Sequence, residues 1–132
     1  MQPVTHETEL PQILQDFKTA YDNKDYEGIA NLFAEKAQFQ GTAESEYREV
    51  LRADVTKYFQ NIGEARISQN IELIALNDVN IHNGDGRVVG VEAVFHSVAP
   101  NGDANPDKPI KIGMELNCES EIVKFKSEPR EP

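Results

Sequence analysis

Glu92 and His96 stand four residues apart in the alternating stretch "VEAVFHSV", so in a strand they share one face. If the polar loop at 99–108 closes a hairpin that sets Phe95 against Ile112, Glu92 falls opposite Glu115 and His96 opposite Lys111. Two facing carboxylates push one pKa upward and make an acid/base pair. The same register gathers Val91, Ala93, Phe95, Ile112, Met114 and Leu116 on the other face. That apolar face is the natural wall of a cavity, and charged residues on the opposite face of a strand ordinarily just meet water. Asp78, Asn80 and His82 alternate along the preceding segment. The length of the turn at Asn83–Gly86 decides whether Asp78 or Asn77 points inward, because a one-residue slip inverts every side chain. An inward Asp78 would be a base with a pocket-shifted pKa. Asp78 and Glu115 are therefore the candidate catalytic carboxylates.

Other chemistries find less support. No His-Glu-x-x-His motif or cysteine pair is present and the three histidines are far apart, so no metal or other cofactor is expected. "NGDANPD" begins like a calcium loop, but Pro106 stands where the sixth-position glycine belongs and Ile112 where the twelfth-position acid belongs. No Gly-x-Ser-x-Gly elbow supports a serine nucleophile. The single cysteine, Cys118, adjoins Glu119 and Glu121, a setting that blunts a thiolate and leaves no internal disulfide to form.

The balance of charges narrows the partners. Thirteen Lys and Arg against 23 Asp and Glu give a net charge of −10, which disfavours nucleic-acid backbones and anionic membrane surfaces alike. The opening "MQPVTHETEL" has neither a basic nor an apolar signal region, and no stretch is long and apolar enough to span a bilayer. These features predict a cytoplasmic protein. With 132 residues, a single domain over 1–132 is expected, with polar tails at about 1–8 and 128–132.

The elements that must position these side chains are legible as a change of period. Leu10, Ile13, Leu14, Phe17 and Tyr21 mark one face of a helix over about 9–23 that can begin only near Pro11. Asp25 is an N-cap for a second helix near 25–34 with Ile29, Leu32 and Phe33 as its buried stripe. "AQFQG" alternates as a brief strand with Phe39 on one side. Ser45 caps a third helix, over 45–62, carrying Val50, Leu51, Val55, Tyr58, Phe59 and Ile62, with Gly63 as its stop. From Arg66 the period is two, with strands expected near 66–82, 87–98, 109–117 and 121–127. Helices first and strands afterwards define an α+β class.

The segments "FKTAYDNKDYEGIANLFAEKAQFQG", "YREVLRADVTKYFQNI" and "ESEIVKFKSE" resemble the nuclear transport factor 2-like superfamily, also called SnoaL-like or ketosteroid-isomerase-like, and the resemblance spans roughly Leu10 to Glu128. It implies a cone-shaped fold in which three N-terminal helices pack on a strongly bent mixed or antiparallel sheet and enclose a pocket. It also implies functions as different as isomerases, cyclases, dehydratases, epoxide hydrolases and noncatalytic adaptors, so function must be argued from the site. Matching the segments places Phe17 where the isomerases carry a tyrosine donor and Gly41 where they carry a carboxylate base. Both groups required for ketosteroid isomerisation are thus missing.

The resulting expectation is a protein that binds a small, largely apolar molecule between the first helix and the sheet. Phe17, Tyr21, Phe39, Tyr58, Val91, Phe95 and Met114 are its candidate contacts. The alternatives are a lyase or isomerase using Asp78 or Glu115, and a noncatalytic dimeric adaptor whose cavity is filled by its own side chains. Val88, Val94 and Val98 share a face with Glu92 and His96, and apolar residues on both sides of one strand predict a homodimer through the outer sheet face.

Overall fold

The computed structural model describes residues 2–5, 10–81 and 86–130, with side chains at 3–5, 10–77 and 87–130. Its elements run β1 (Gln2–Pro3), α1 (Gln12–Asp22), α2 (Tyr26–Ala30), β2 (Phe33–Gln40), β3 (Arg48–Leu51), α3 (Arg52–Glu64), β4 (Ser68–Ile81), β5 (Gly86–Val98), β6 (Lys108–Leu116) and β7 (Ile122–Pro129). The strands form one mixed sheet in the order β1-β4-β5-β6-β7-β2-β3. All pairs are antiparallel except β2 with β7, which run parallel with Phe39 beside Phe125. The α+β class, with helices covering one face of a bent, unclosed sheet, is as the sequence implied.

Helix α1 starts where proline permits. Pro11 has no N–H to lose, and its carbonyl accepts from Leu14 and Gln15 at 3.0 and 3.2 Å. The helix buries Ile13, Leu14, Phe17, Ala20 and Tyr21. It ends through Lys24, whose φ of 57° is the left-handed conformation usually left to glycine, with Asp25 N–H donating to the Ala20 carbonyl at 2.8 Å. The last turn also seals the edge of the sheet. Asp22 Oδ1 accepts from the Ile71 N–H at 2.8 Å, and Lys18 Nζ donates to the Ile71 carbonyl at 2.6 Å. Both backbone groups of an edge residue are thereby satisfied by side chains.

Two boundaries differ from expectation, and for one reason. The second helix, capped by Asp25 through Gly28 N–H at 3.0 Å, closes at Ala30, so Phe33 begins a strand rather than ending a helical stripe. The third helix does not start at Ser45. Residues 48–51 pair with β2 instead, Lys36 with Leu51 and Phe39 with Arg48, which buries Val50. Asp54 then takes the N-terminal role by accepting from the Leu51 N–H at 2.9 Å. In both segments strand pairing overrides local helical signals: Phe33 pairs with Ile122 instead of continuing α2, and residues 48–51 pair with the preceding strand instead of following the Ser45 cap.

Register in the long hairpins is likewise settled by the sheet. Phe95 faces Lys108 and Val91 faces Ile112, a shift of several residues from the expected pairing. Glu92 therefore lies opposite Lys111, not Glu115, and Glu115 pairs with Val88 and Lys124. His96 pairs with Asn70. The shift preserves parity, so Val91, Ala93, Ile112, Met114 and Leu116 all reach the core as expected. A bulge between Leu73 and Ala75 bends β4, and others interrupt β6–β7 and β2–β7, curving the sheet around the helices.

The core is built of rings. Phe39 stacks on Phe125 at 5.2 Å with planes 9° apart, and Phe59 meets Phe17, Tyr21, Phe39, Tyr58 and Phe125 edge-on. Offset and edge-to-face pairs of this kind add about 0.5–1.5 kcal/mol each beyond their buried area.

Candidate ligand cavity

Three elements meet at an opening that their own rings do not fill. Helix α1 contributes Phe17 and Tyr21, one turn apart on its buried face, and α3 contributes Tyr58, Phe59 and Ile62. The sheet contributes Phe95 from β5 and Phe125 and Ser127 from β7. Between them lies a cavity of about 270 Å³. Tyr21 is nearly parallel to Phe95 at 5.2 Å and to Phe17 at 6.2 Å, so one wall is a row of ring faces.

Polar groups sit at fixed points on this apolar surface. Thr42 Oγ1 and Ser127 Oγ are hydrogen bonded at 2.7 Å, which joins the loop after β2 to β7. The Arg66 guanidinium, just past α3, approaches the Tyr21 hydroxyl at a long 3.5 Å. Burial pushes the Tyr21 pKa up to about 12 against the opposing pull of Arg66, so the phenol keeps its proton and remains a donor. Its backbone is held too, since Gln69 Nε2 donates to the Tyr21 carbonyl at 2.9 Å. Lys108, at the start of β6, completes the mouth. Among the described lining residues there is no carboxylate.

Gly41 explains the arrangement of the α3 wall. A Cβ built there would lie 2.3 Å from the Tyr58 hydroxyl and 2.8 Å from its ring. The space that a side chain would occupy at this position is thus taken by Tyr58 and the Glu44 carboxylate. Burial and the Glu44 carboxylate push the Tyr58 pKa upward, partly offset by the Thr42 backbone N–H that bonds its hydroxyl. Glu44 is itself committed: its two oxygens accept from the Gly41 N–H at 2.7 Å and from Arg48 Nε at 2.8 Å.

The sequence candidates divide accordingly. Phe17, Tyr21, Tyr58 and Phe95 line the cavity. Phe39, Val91 and Met114 are buried in the core around it rather than on its lining. Glu115 lies on the outer face of the sheet, flanked in β6 by Met114 and Leu116, whose side chains fill the interior. The Asp78 backbone pairs with Val89, and its side chain, like His82 and most of the Asn83–Gly86 turn, lies outside the described residues. Arg66, Lys108, Thr42 and Ser127 escaped the sequence reading, because each is an ordinary polar residue at a loop or strand end until the fold brings four separate segments together.

His96 belongs elsewhere. On the outer face its Nε2 contacts Glu72 Oε1 at 2.8 Å and its Nδ1 contacts Asp107 Oδ1 at 2.9 Å, in a cluster open to solvent. Among the described residues no group of His, Cys, Asp and Glu is placed to hold a metal ion. Nor is any helix among them long and apolar enough to cross a membrane.

No protein-family model matches the chain, and no curated protein sequence does. Solved structures do resemble it. A protein of the nuclear transport factor 2-like family from Streptomyces avermitilis, a proposed dehydratase, shares 13% identity at a TM-score of 0.74 over 92% of this chain and 94% of that one. A protein with a ketosteroid isomerase-like fold from Catenulispora acidiphila, in complex with trimethylamine, shares 12% at 0.66 over 90% and 85%. SalBIII, an epoxide hydrolase/cyclase-like enzyme in pyran ring formation in polyether salinomycin, shares 20% at 0.72 over 90% and 88%. The chain has the cystatin-like fold of the nuclear transport factor 2-like, SnoaL-like proteins.

Proposed function

We propose that this protein binds a small, largely apolar molecule in the cavity between α1, α3 and the sheet. The observation that carries the reading is the unfilled ring-walled space itself, bordered by a few convergent polar groups, which is the usual anatomy of a ligand site. A cavity of about 150 Å³ holds benzene, so 270 Å³ suits a body of about one to two rings. Ketosteroid isomerisation is not its activity in this reading, because Phe17 cannot donate a hydrogen bond and Gly41 has no room for a base. Efficient turnover of a β,γ-unsaturated ketosteroid would contradict that exclusion.

The binding test is a titration with a neutral two-ring probe, 2-naphthamide, followed by calorimetry. Saturable binding of one molecule per chain is expected. Ala43→Trp, at an exposed position on the cavity rim, should abolish it without changing the melting temperature. Binding that does not saturate, or that survives Ala43→Trp, would count against the cavity as the site.

The reading extends to a cytoplasmic homodimer formed through the outer sheet face. Val88 is 36% exposed there. Gly90 and Gly113 pair across β5 and β6, and a Cβ added at Gly113 would meet nothing, so the middle of this face has a bare backbone patch. A second subunit would cover both. Light scattering at tens of micromolar should report the dimer mass, and a monomer there would refute the interface.

A further inference from the structure

The charges around the cavity run against those of the chain. The protein carries a net charge of −10, yet the described lining of the cavity holds two cations, Arg66 and Lys108, and no carboxylate. A second recess, of about 360 Å³, adjoins the first and is lined by the same two cations with Phe95, Ser97 and Asn105. Arg66, Lys108 and Phe95 belong to both spaces and therefore stand at their junction.

Neither cation is neutralised from within. The Arg66 side chain has the long contact to the Tyr21 hydroxyl and no carboxylate partner among the described residues, and Lys108 has none either. Other basic side chains pair across elements or along a helix, such as Lys18 with Asp22, Arg52 with Glu121 and Arg130 with Glu92, while surface lysines such as Lys36 and Lys57 are left to water. What sets Arg66 and Lys108 apart is that they share the mouth of an apolar cavity whose described lining holds no carboxylate, a place suited to a counter-ion from outside. Arg66 is half-buried, so water compensates its charge incompletely. Its planar fork matches an oxyanion bidentately, and Lys108 adds a mobile point charge. The protonated Tyr21 hydroxyl supplies a neutral donor on the same side.

Resting on the reading of the cavity as a ligand site, we infer that its ligand is an organic carboxylate. The ring system would lie against Phe17, Tyr21 and Phe95, and the carboxylate would be held at the junction by Arg66 and Lys108. The apolar walls make a free inorganic anion the wrong occupant, because it would leave the rings wet. The two-ring size limit makes a compact aryl or cyclic acid the right class.

The test compares 2-naphthoate with its uncharged counterpart 2-naphthamide by calorimetry at low salt. The acid should bind at least about tenfold tighter, the scale of one charge-assisted contact of roughly 1.4 kcal/mol. Arg66→Gln and Lys108→Gln should each shrink the preference, and the double variant should bring the ratio of acid to amide affinity to about one. Arg66→Lys keeps the charge and should retain part of the preference. Lys108→Gln, at an exposed site, serves as the variant whose folding is not in question. Equal binding of acid and amide would overturn the carboxylate assignment and leave the apolar cavity standing. A preference that persists in the double variant would overturn it by placing the anion elsewhere. Binding of neither probe would remove both readings together.

Discussion

Phe95 and His96 are neighbours in sequence, and the strand sends them to opposite worlds. Phe95 stacks on Tyr21 at the junction of the two recesses, while His96 stands on the outer face between Glu72 and Asp107. Along β5 the same division holds. Val89, Val91 and Ala93 are almost wholly buried, whereas Val88, Gly90, Glu92 and Val94 form a mixed surface of valines, glycine and charge. The inner face achieves its shape by rings packing on rings, where every contact is short and removing one leaves a void. The outer face carries ion pairs open to water, such as Lys126 with Glu128 at 3.3 Å, which contribute little singly. The residues that looked most chemical in the sequence, Glu92, His96 and Glu115, are all on the wet side. The cavity is made of residues that looked like core.

The sharpest way to break this contrast is to remove an inner ring. Phe125 is 2% exposed, stacks on Phe39 and borders the cavity. Phe125→Ala should cost about 3–5 kcal/mol in chemical denaturation, by lost burial and by a void next to an existing one. A cost below about 1 kcal/mol would mean that the inner face tolerates rearrangement as the outer face does.

A smaller effect is expected where the cavity wall meets Gly41. Gly41→Ala drives a methyl into Tyr58 and should destabilise by about 1–3 kcal/mol, the usual range for overpacking. Combined with Tyr58→Phe, which removes the nearest atom, the loss should be less than the sum of the two single losses. Strict additivity would show that the tyrosine is not what crowds position 41.

The smallest effect belongs to the outer cluster and is read with pH. Hydrogen bonds to Glu72 and then Asp107 raise the His96 pKa above its usual 6.5. The sign follows from the raised folded value. The stabilisation is fully present below about 6.5, where the imidazole is charged in both states, and is lost as pH rises through the higher folded pKa. Denaturation midpoints should therefore fall slightly on the alkaline side of neutrality in the native chain, and this component should vanish in His96→Gln. Because the cluster is open to solvent, salt should weaken it. A midpoint that rises with pH through this window, and does so only while His96 is present, would reverse the assignment.

What the sequence determined by itself was most of the regular elements, β1 and β3 excepted, and the parity of their faces. The helical spacing of Leu14, Phe17 and Tyr21 and the alternation through Val91, Ala93 and Phe95 depend only on the local period of the chain, which no tertiary contact needs to supply. For the same reason Phe17, Tyr21, Tyr58 and Phe95 were legible as candidates. Only the tertiary structure decided the rest. Pairing of β3 with β2 overrode the Ser45 cap, because the hydrogen bonds come from the preceding strand across a turn and the burial of Val50 comes from the assembled core, neither of which the helical spacing of the segment reveals. The register that moved Glu92 from Glu115 to Lys111 was set by the packing of whole faces, to which a shift by an even number of residues is invisible in the pattern. Arg66 and Lys108 became a pair at one mouth for the same physical reason: their proximity is a property of how helix and sheet close on each other, and local sequence carries no information about a distance across a cavity.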